Sequence, residues 1–444
     1  MRTFKIGGVH PHDKKIASDC PIEQFPIQSK AYLPLSQHIG APAQAVVAVG
    51  DKVLVGQLIA QAGGFVSSPI HSSVSGTVSA IGPVKDFTGR AIPTITIDVE
   101  GDEWDPSIDR SPDIVRECAL EPKEIIAKIS AMGVVGLGGA SFPTHVKLSP
   151  PPGKKAECLI INGAECEPYL TSDYRLLIEH PEEIVIGATI MMKALGVKRG
   201  YIAIEENKPE AIALLTKTAA SYEGVEVVKL RKKYPQGGEK QLIDAVTGRR
   251  VPSMGLPIDA GAVVQNVGTS FAVYEAVQKN KPLFEGVVTV TGDCVKNRGN
   301  WLLRAGTPYQ ALLDSAGELP VGALKLISGG PMMGRTIVNP EGPTVKSTSA
   351  LLVLTAEQTS RQKETGCIRC GKCIDACPMG LEPYLLNKLA RLGRYDEMEA
   401  LKIADCIECG CCLYSCPAYM PLLDNIRIAK AEVIKRIRAR AVQK

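Results

Sequence analysis

A chain of 444 residues is longer than one hydrophobic core supports and predicts three or four domains. With 45% hydrophobic residues and a net charge of only +4 it reads as soluble and globular, and neither that charge nor any motif points to nucleic acid. No uninterrupted apolar run approaches the roughly 18 residues of a spanning helix, the opening MRTFKIGGVHPHDKK has no apolar signal core, and many cysteines without an export signal predict a cytoplasm of the bacterial type.

In chain order, residues 1–115 alternate short apolar strands with turns, as in AQAVVAVGDKVLVGQLIAQ and SSPIHSSVSGTVSAIG. These two halves resemble the flattened barrel of biotinyl and lipoyl domains, with turns at Gly50-Asp51 and Gly76. Such carriers present a lysine between their halves. Here the tip reads Gln61-Ala62-Gly63-Gly64, so a docking module is expected in place of a swinging arm.

Residues 116–282 begin with a helix pattern, EPKEIIAKISAM, and then the loop GLGGASFPTHVKL. This is no Rossmann fingerprint, since the third glycine is absent and a helix precedes it. Gly136, Gly138 and Gly139 nevertheless allow backbone amides close to a phosphate, and Lys147 adds a positive charge; a simple tight turn is the competing reading. The apolar run Cys158 to Ile161 predicts a buried strand ending at Asn162, Glu165 and Glu167, and strand ends are where α/β proteins place ligands. GYIAIEEN predicts a second strand. A third precedes Tyr234 and Gly237-Gly238-Glu239, and Asn266 with Thr269 opens a helix. His145 is expected to be structural.

Residues 283–350 read as strand, turn, strand, helix, strand, with Met332-Met333 as a packing surface. Within 358–425 one phrase occurs twice: Cys367, Cys370, Cys373, Cys377-Pro378, then Cys406, Cys409, Cys412, Cys416-Pro417. The spacing C-x2-C-x2-C-x3-C-P places three thiolates on one [4Fe–4S] cube, while the fourth cysteine ligates the other run's cluster. One cluster then takes Cys367, Cys370, Cys373 and Cys416, and the other Cys377, Cys406, Cys409 and Cys412. Disulfides would need an oxidising compartment, and a zinc site has no use for eight cysteines in this order. Cys411 is left as a spectator. The segment between the runs predicts a helical module, and residues 426–444 a basic helix, either solvated or set against an anionic surface or acidic partner.

GLGGASFPTHVKL, NGAECEP, YPQGGEK and VVQNVGT resemble the flavin-binding phrases of the NADH-oxidising subunit of respiratory complex I. With the barrel and the doubled cysteine run, nearly the whole chain is similar to the RnfC (RsxC) family of Rnf-type ion-translocating electron transport complexes. The resemblance implies a multidomain α/β plus β architecture: barrel-sandwich domain, complex I flavin-subunit-like α/β domain, β-grasp domain and helical two-cluster ferredoxin domain. It implies Gly136, Gly138, Gly139 and Lys147 at an FMN phosphate, with Asn162, Glu165, Gly237, Gly238, Gln265, Asn266 and Thr269 around the flavin. It implies Phe142, Glu167, Tyr234 and Glu239 as NADH contacts. Leu137 and Ala164 stand where complex I has an arginine and an acidic residue.

The implied function is electron transfer between NAD(H), FMN and two [4Fe–4S] clusters, with membrane subunits as partners, ferredoxin reached indirectly, and a peripheral place on the cytoplasmic side of the bacterial inner membrane. The direction of flow stays open. The alternatives are a soluble cobalamin-reductase-type flavin and iron–sulfur enzyme, disfavoured by the long segment before the flavin loop, and a scaffold with an inert flavin pocket, which bound flavin would exclude.

Overall fold

The apolar run at Cys158–Gly163 becomes the inner strand of a four-stranded parallel sheet in the computed structural model, which describes residues 1–322 and 324–442. The spatial order is Val225–Leu230, Gly200–Glu205, Cys158–Gly163, Ala262–Asn266. Leu159, Ile160 and Ile161 are fully buried because helices cover both faces of such a sheet. The chain moves outward over the second and third strands, then returns to the other side of the first. This makes a topological switch point between Cys158–Gly163 and Ala262–Asn266, where ligands settle in open α/β sheets. Asn162 and Asn266 are register partners at that point.

The barrel domain pairs Lys30–Pro34, Ala91–Val99, Gly76–Lys85 and Lys52–Val53 in one antiparallel sheet, with a smaller sheet from Gln44–Ala45, Leu58–Gln61 and Ile70–His71. Leu33, Ile59, Val78, Ile95 and Ile97 form its dry centre. At the turn residue Gly76 a Cβ would lie 2.0 Å from the Asp98 carbonyl oxygen, so only glycine fits.

The expected strand, turn, strand, helix, strand order appears as Glu285–Thr291, Gly299–Arg304, Tyr309–Ser315 and Leu324–Ser328. Its six-stranded sheet also draws on segments outside 283–350. Ala350–Thr355 runs through the middle, and Ile22–Gln24, from the amino-terminal region read as barrel, pairs in parallel with Asn300–Leu302 at the edge.

The cysteine module is helical. Pro383–Arg391, Tyr395–Ala400 and the helix Leu422–Val442 bury Leu386, Leu389, Met398, Ile426, Ala429 and Val433 against one another. The last helix is therefore a core element in its first half and not the solvated or surface-bound tail expected at 426–444. Its apolar residues at helical spacing outweigh the basic composition, and Arg436 and Arg440 pair internally with Glu432 and Glu399. Among the described residues no helix is long and apolar enough to cross a membrane.

Candidate functional site

The glycine loop closes through the Gly136 N–H, which donates to the Phe142 carbonyl at 2.9 Å, while the Leu137 N–H reaches Thr269 Oγ1 at 3.0 Å. A Cβ on Gly138 would come within 2.7 Å of Asn266 Nδ2. One on Gly139 would meet nothing within 4 Å, so this backbone faces open space.

Across the switch point, Asn162 Nδ2 donates to the Gly237 carbonyl (2.8 Å), Asn266 Nδ2 to Asp173 Oδ2 (2.7 Å), and the Gly268 N–H to Asn266 Oδ1 (2.7 Å). The Gln265 amide nitrogen is buried without a partner. Glu165, in the left-handed region at φ +46°, accepts from the Asp173 N–H at 2.8 Å. Burial, then the Glu165 charge, push the Asp173 carboxyl up to about 7. Gly138, Asn162, Glu165, Gly237, Asn266 and Thr269 are thus brought together as expected. An open amide cradle and an orphaned buried donor suit a planar ligand bearing carbonyls and a phosphate, which FMN is.

Lys147 and Glu239, assigned to different parts of the ligand, pair with each other: Lys147 Nζ lies 2.7 Å from Glu239 Oε1 and donates to the Val264 carbonyl at 3.1 Å. Glu167 accepts from the Met332 and Met333 N–H groups at 3.0 and 2.8 Å, and burial pushes its carboxyl up to about 7. Tyr234 is only 2% exposed, and its hydroxyl donates to the Cys409 carbonyl at 2.8 Å. It faces the second cysteine run and offers almost no surface to a nucleotide. Phe142 is partly buried beside the open loop.

Sequence reasoning missed the groups beneath this site. Lys15 Nζ donates to the carbonyls of Glu165, Glu167 and Leu170, and the buried Lys208 Nζ to that of Ala164. Cys166 lies under the loop, its Sγ 3.4 Å from the Gly237 nitrogen. Asp173, next to a helix start in TSDYRLL, carried the one local signal, an acidic residue in a first turn.

The two cysteine loops share one geometry. Arg369 and Gly371 in the first, and Glu408 and Gly410 in the second, hold matching left-handed conformations ahead of short helices at Lys372–Asp375 and Cys411–Tyr414. Burial pushes the Cys373 thiol up, and Cys416 and Cys367 add to that. Burial pushes Cys406 up to about 11, with Cys409 and Cys377 contributing; Cys412 rises through burial and then Cys406, Cys409 and Cys377. The thiols therefore gather across the two runs. Among the described residues no three metal-binding side chains converge on a point suited to one ion, and a cube of four irons is wider than one ion. Such crowded thiols suit a cationic cluster that neutralises them.

Cys411 is fully buried with Val9, Tyr234, Ala376 and Cys409. The amino-terminal strap seals this junction: the Gly8 N–H donates to the Ala376 carbonyl (3.0 Å), Val9 bridges to Tyr234, and a Cβ on Gly7 would lie 2.4 Å from the Cys377 carbonyl carbon. Cys367 and Cys370, in contrast, are exposed.

Family models match in four places: an RnfC barrel sandwich hybrid domain at residues 3–102, a Nuo51 FMN-binding domain at 129–275, an SLBB domain at 287–336 and a 4Fe-4S dicluster domain at 359–430. The chain is 47% identical over 437 residues to the RnfC subunit of the proton-translocating ferredoxin:NAD(+) oxidoreductase complex of Clostridium ljungdahlii, covering 97% of this chain and 94% of the relative. It is 43% identical to the corresponding subunit of the Na(+)-translocating ferredoxin:NAD(+) oxidoreductase complex of Acetobacterium woodii, with 97% of each covered. It is also 43% identical to that of the ion-translocating oxidoreductase complex of Rhodobacter capsulatus, with 98% and 84% covered. Among solved structures, an air-oxidised NAD+-reducing [NiFe]-hydrogenase chain matches with a TM-score of 0.50 at 18% identity, over 70% of this chain and 63% of that one, a likeness of fold alone.

Proposed function

Since the chain belongs to the RnfC family of ion-translocating ferredoxin:NAD+ oxidoreductase complexes, we propose that it is the peripheral subunit that exchanges electrons with NAD(H), on the cytoplasmic face of the membrane. FMN, when bound, supplies the conversion between two-electron and one-electron transfer. The amides of Gly136, Gly138 and Gly139 with Lys147 hold its phosphate, and Asn162, Glu165, Gln265 and Asn266 orient its ring. Cys377, Cys406, Cys409 and Cys412 hold one cluster and Cys367, Cys370, Cys373 and Cys416 the other.

The observation that carries this reading is the Tyr234 contact. Its backbone follows the flavin-side strand Val225–Leu230, and its hydroxyl touches the second cysteine loop. Tyr234, Cys166 and Val9 exclude water between the two sites. The second run's cluster is therefore the inner one, and the first run's, with exposed Cys367 and Cys370, is the outer one that meets partner subunits. Anaerobic stopped-flow with NADH tests the reading: flavin absorbance bleaches first and cluster absorbance follows. Protein loaded with FMN and iron that NADH leaves oxidised refutes it.

A further inference from the structure

Where the barrel meets the glycine loop there is a cavity of about 190 Å³. Its walls are Gln37 and His38 of one barrel loop, Phe87 and Ile92 of another, and Ala140 and Ser141 of the glycine loop. The barrel is fixed there: the Lys346 N–H donates to Gln37 Oε1 at 3.0 Å, and Lys346 Nζ ties the Pro69 carbonyl of the barrel to the Gly133 carbonyl before the loop, at 2.8 Å each. His145 contacts the Phe65 carbonyl at 3.2 Å.

Two donors at this cavity lack partners. Gln37 is 4% exposed, yet its Nε2 makes no hydrogen bond. His38 Nε2 accepts from the Ser68 N–H at 2.9 Å, which leaves the proton on Nδ1, also buried and unpaired. Buried donors without acceptors are costly and mark a place for a ligand. Its size falls below the roughly 300–1,000 Å³ of pockets enclosing a drug-sized molecule, so it takes one end of something longer. No lysine or arginine lines it, which disfavours a phosphate. Apolar walls with two donors at the edge suit a flat heterocycle rich in ring-nitrogen acceptors, as adenine is. The glycine loop, with open space at Gly139, leads directly to Ala140 and Ser141.

We propose that this cavity receives the adenine end of the dinucleotide, so that the barrel forms one wall of the NAD(H) cleft and Gln37 and His38 bind the base. The inference rests on the NAD(H) reading above and assigns the barrel a role within it.

The test uses the full chain loaded with FMN and iron. Gln37→Glu keeps the acceptor for Lys346 and removes the free donor, and Ser36→Trp, at an exposed position on the rim, fills the cavity without touching the core. Two probes separate the ends of the cofactor: ADP-ribose lacks nicotinamide, and reduced nicotinamide mononucleotide lacks adenosine. Each variant is expected to weaken ADP-ribose binding in calorimetry about tenfold, the equivalent of one good hydrogen bond. The preference for NADH over the mononucleotide in kcat/KM falls by the same factor. ADP-ribose that fails to bind the wild type, or binds wild type and both variants alike, overturns the inference. Wild type that NADH does not reduce defeats the NAD(H) reading instead, and calorimetry with ADP-ribose still decides the cavity.

Discussion

Replacing Lys15 with methionine keeps the length of the side chain and removes the cation that organises the flavin loop from below. The Lys15 ammonium donates to three carbonyls, Glu165 at 2.8 Å, Glu167 at 3.0 Å and Leu170 at 2.6 Å, and lies 3.5 Å from Glu165 Oε2. Glu165 holds a left-handed backbone at φ +46°, an arrangement that costs on the order of 1 kcal/mol and persists only where neighbours impose it. Its Oε2 makes no hydrogen bond, so without Lys15 the Glu165 charge stays buried beside the Asp173 carboxyl, which it already pushes up. Breaking one side of a buried, hydrogen-bonded pair costs about 3–5 kcal/mol. The three bonds share one ammonium and do not add independently, so about 3 kcal/mol of loop order is the expected loss. If FMN binds only the ordered loop, its dissociation constant rises about hundredfold. Fluorescence titration of flavin-free protein measures this directly, with iron content as the control that the cluster module is intact. Lys15→Met that binds FMN within threefold of wild type refutes the argument.

Lys147→Ala removes the cation beside the glycine loop and is expected to lose FMN on gel filtration while iron is retained; full flavin occupancy would displace the phosphate assignment. Cys416→Ser should abolish the cluster held by Cys367, Cys370 and Cys373 and leave about four irons, and loss of its own run's cluster instead would show that the runs do not cross-ligate. Lys346, buried between barrel and flavin domain, is brought down by desolvation from 10.5 to about 7. Between those values the folded chain binds fewer protons than the unfolded one, so this lysine makes stability rise with pH across that window. From pH 7 to 9 the gain is on the order of 2 kcal/mol, and Lys346→Met should lack it; equal pH slopes in thermal unfolding of the two proteins would contradict this.

What the sequence made legible was local. The cysteine runs are punctuated by their own spacing, and the Cys158–Ile161 run is apolar enough to be read as a buried strand. The glycine loop and the residues at the strand ends follow from the same short-range logic. Contacts between distant segments carry no such mark. Lys15 lies 150 to 155 positions from the carbonyls it holds, Tyr234 lies 175 from Cys409, and Lys346 lies 309 from Gln37. Lys15 sits in a short basic run, HDKK, whose bland meaning is solvated charge. Its burial is set by the strap, and the strap is placed by glycines that pack against backbone more than 300 residues away. The last helix misled for the related reason that composition reports charge, whereas the spacing of Ile426, Ala429 and Val433 reports burial.

The strap gives a physical reason for flavin and inner cluster to behave as one unit. Gly7 and Gly8 pack on the Ala376–Cys377 backbone, Val9 pairs with Tyr234, and Lys15 clamps the Glu165–Leu170 loop, so one continuous stretch of chain touches cluster ligand, bridging tyrosine and flavin loop in turn. Between domains joined only by a linker, relative motion is the default, and any widening of the gap would admit water and slow electron passage. A strap anchored at both ends removes that freedom. Side chains too large for Gly7 should therefore act at a distance, since a Cβ placed 2.4 Å from the Cys377 carbonyl carbon must push the cluster module away from Tyr234. Gly7→Val should leave FMN and iron bound while slowing the passage of electrons from flavin to clusters in the NADH stopped-flow trace. An unchanged cluster phase would show that the strap does not set the gap.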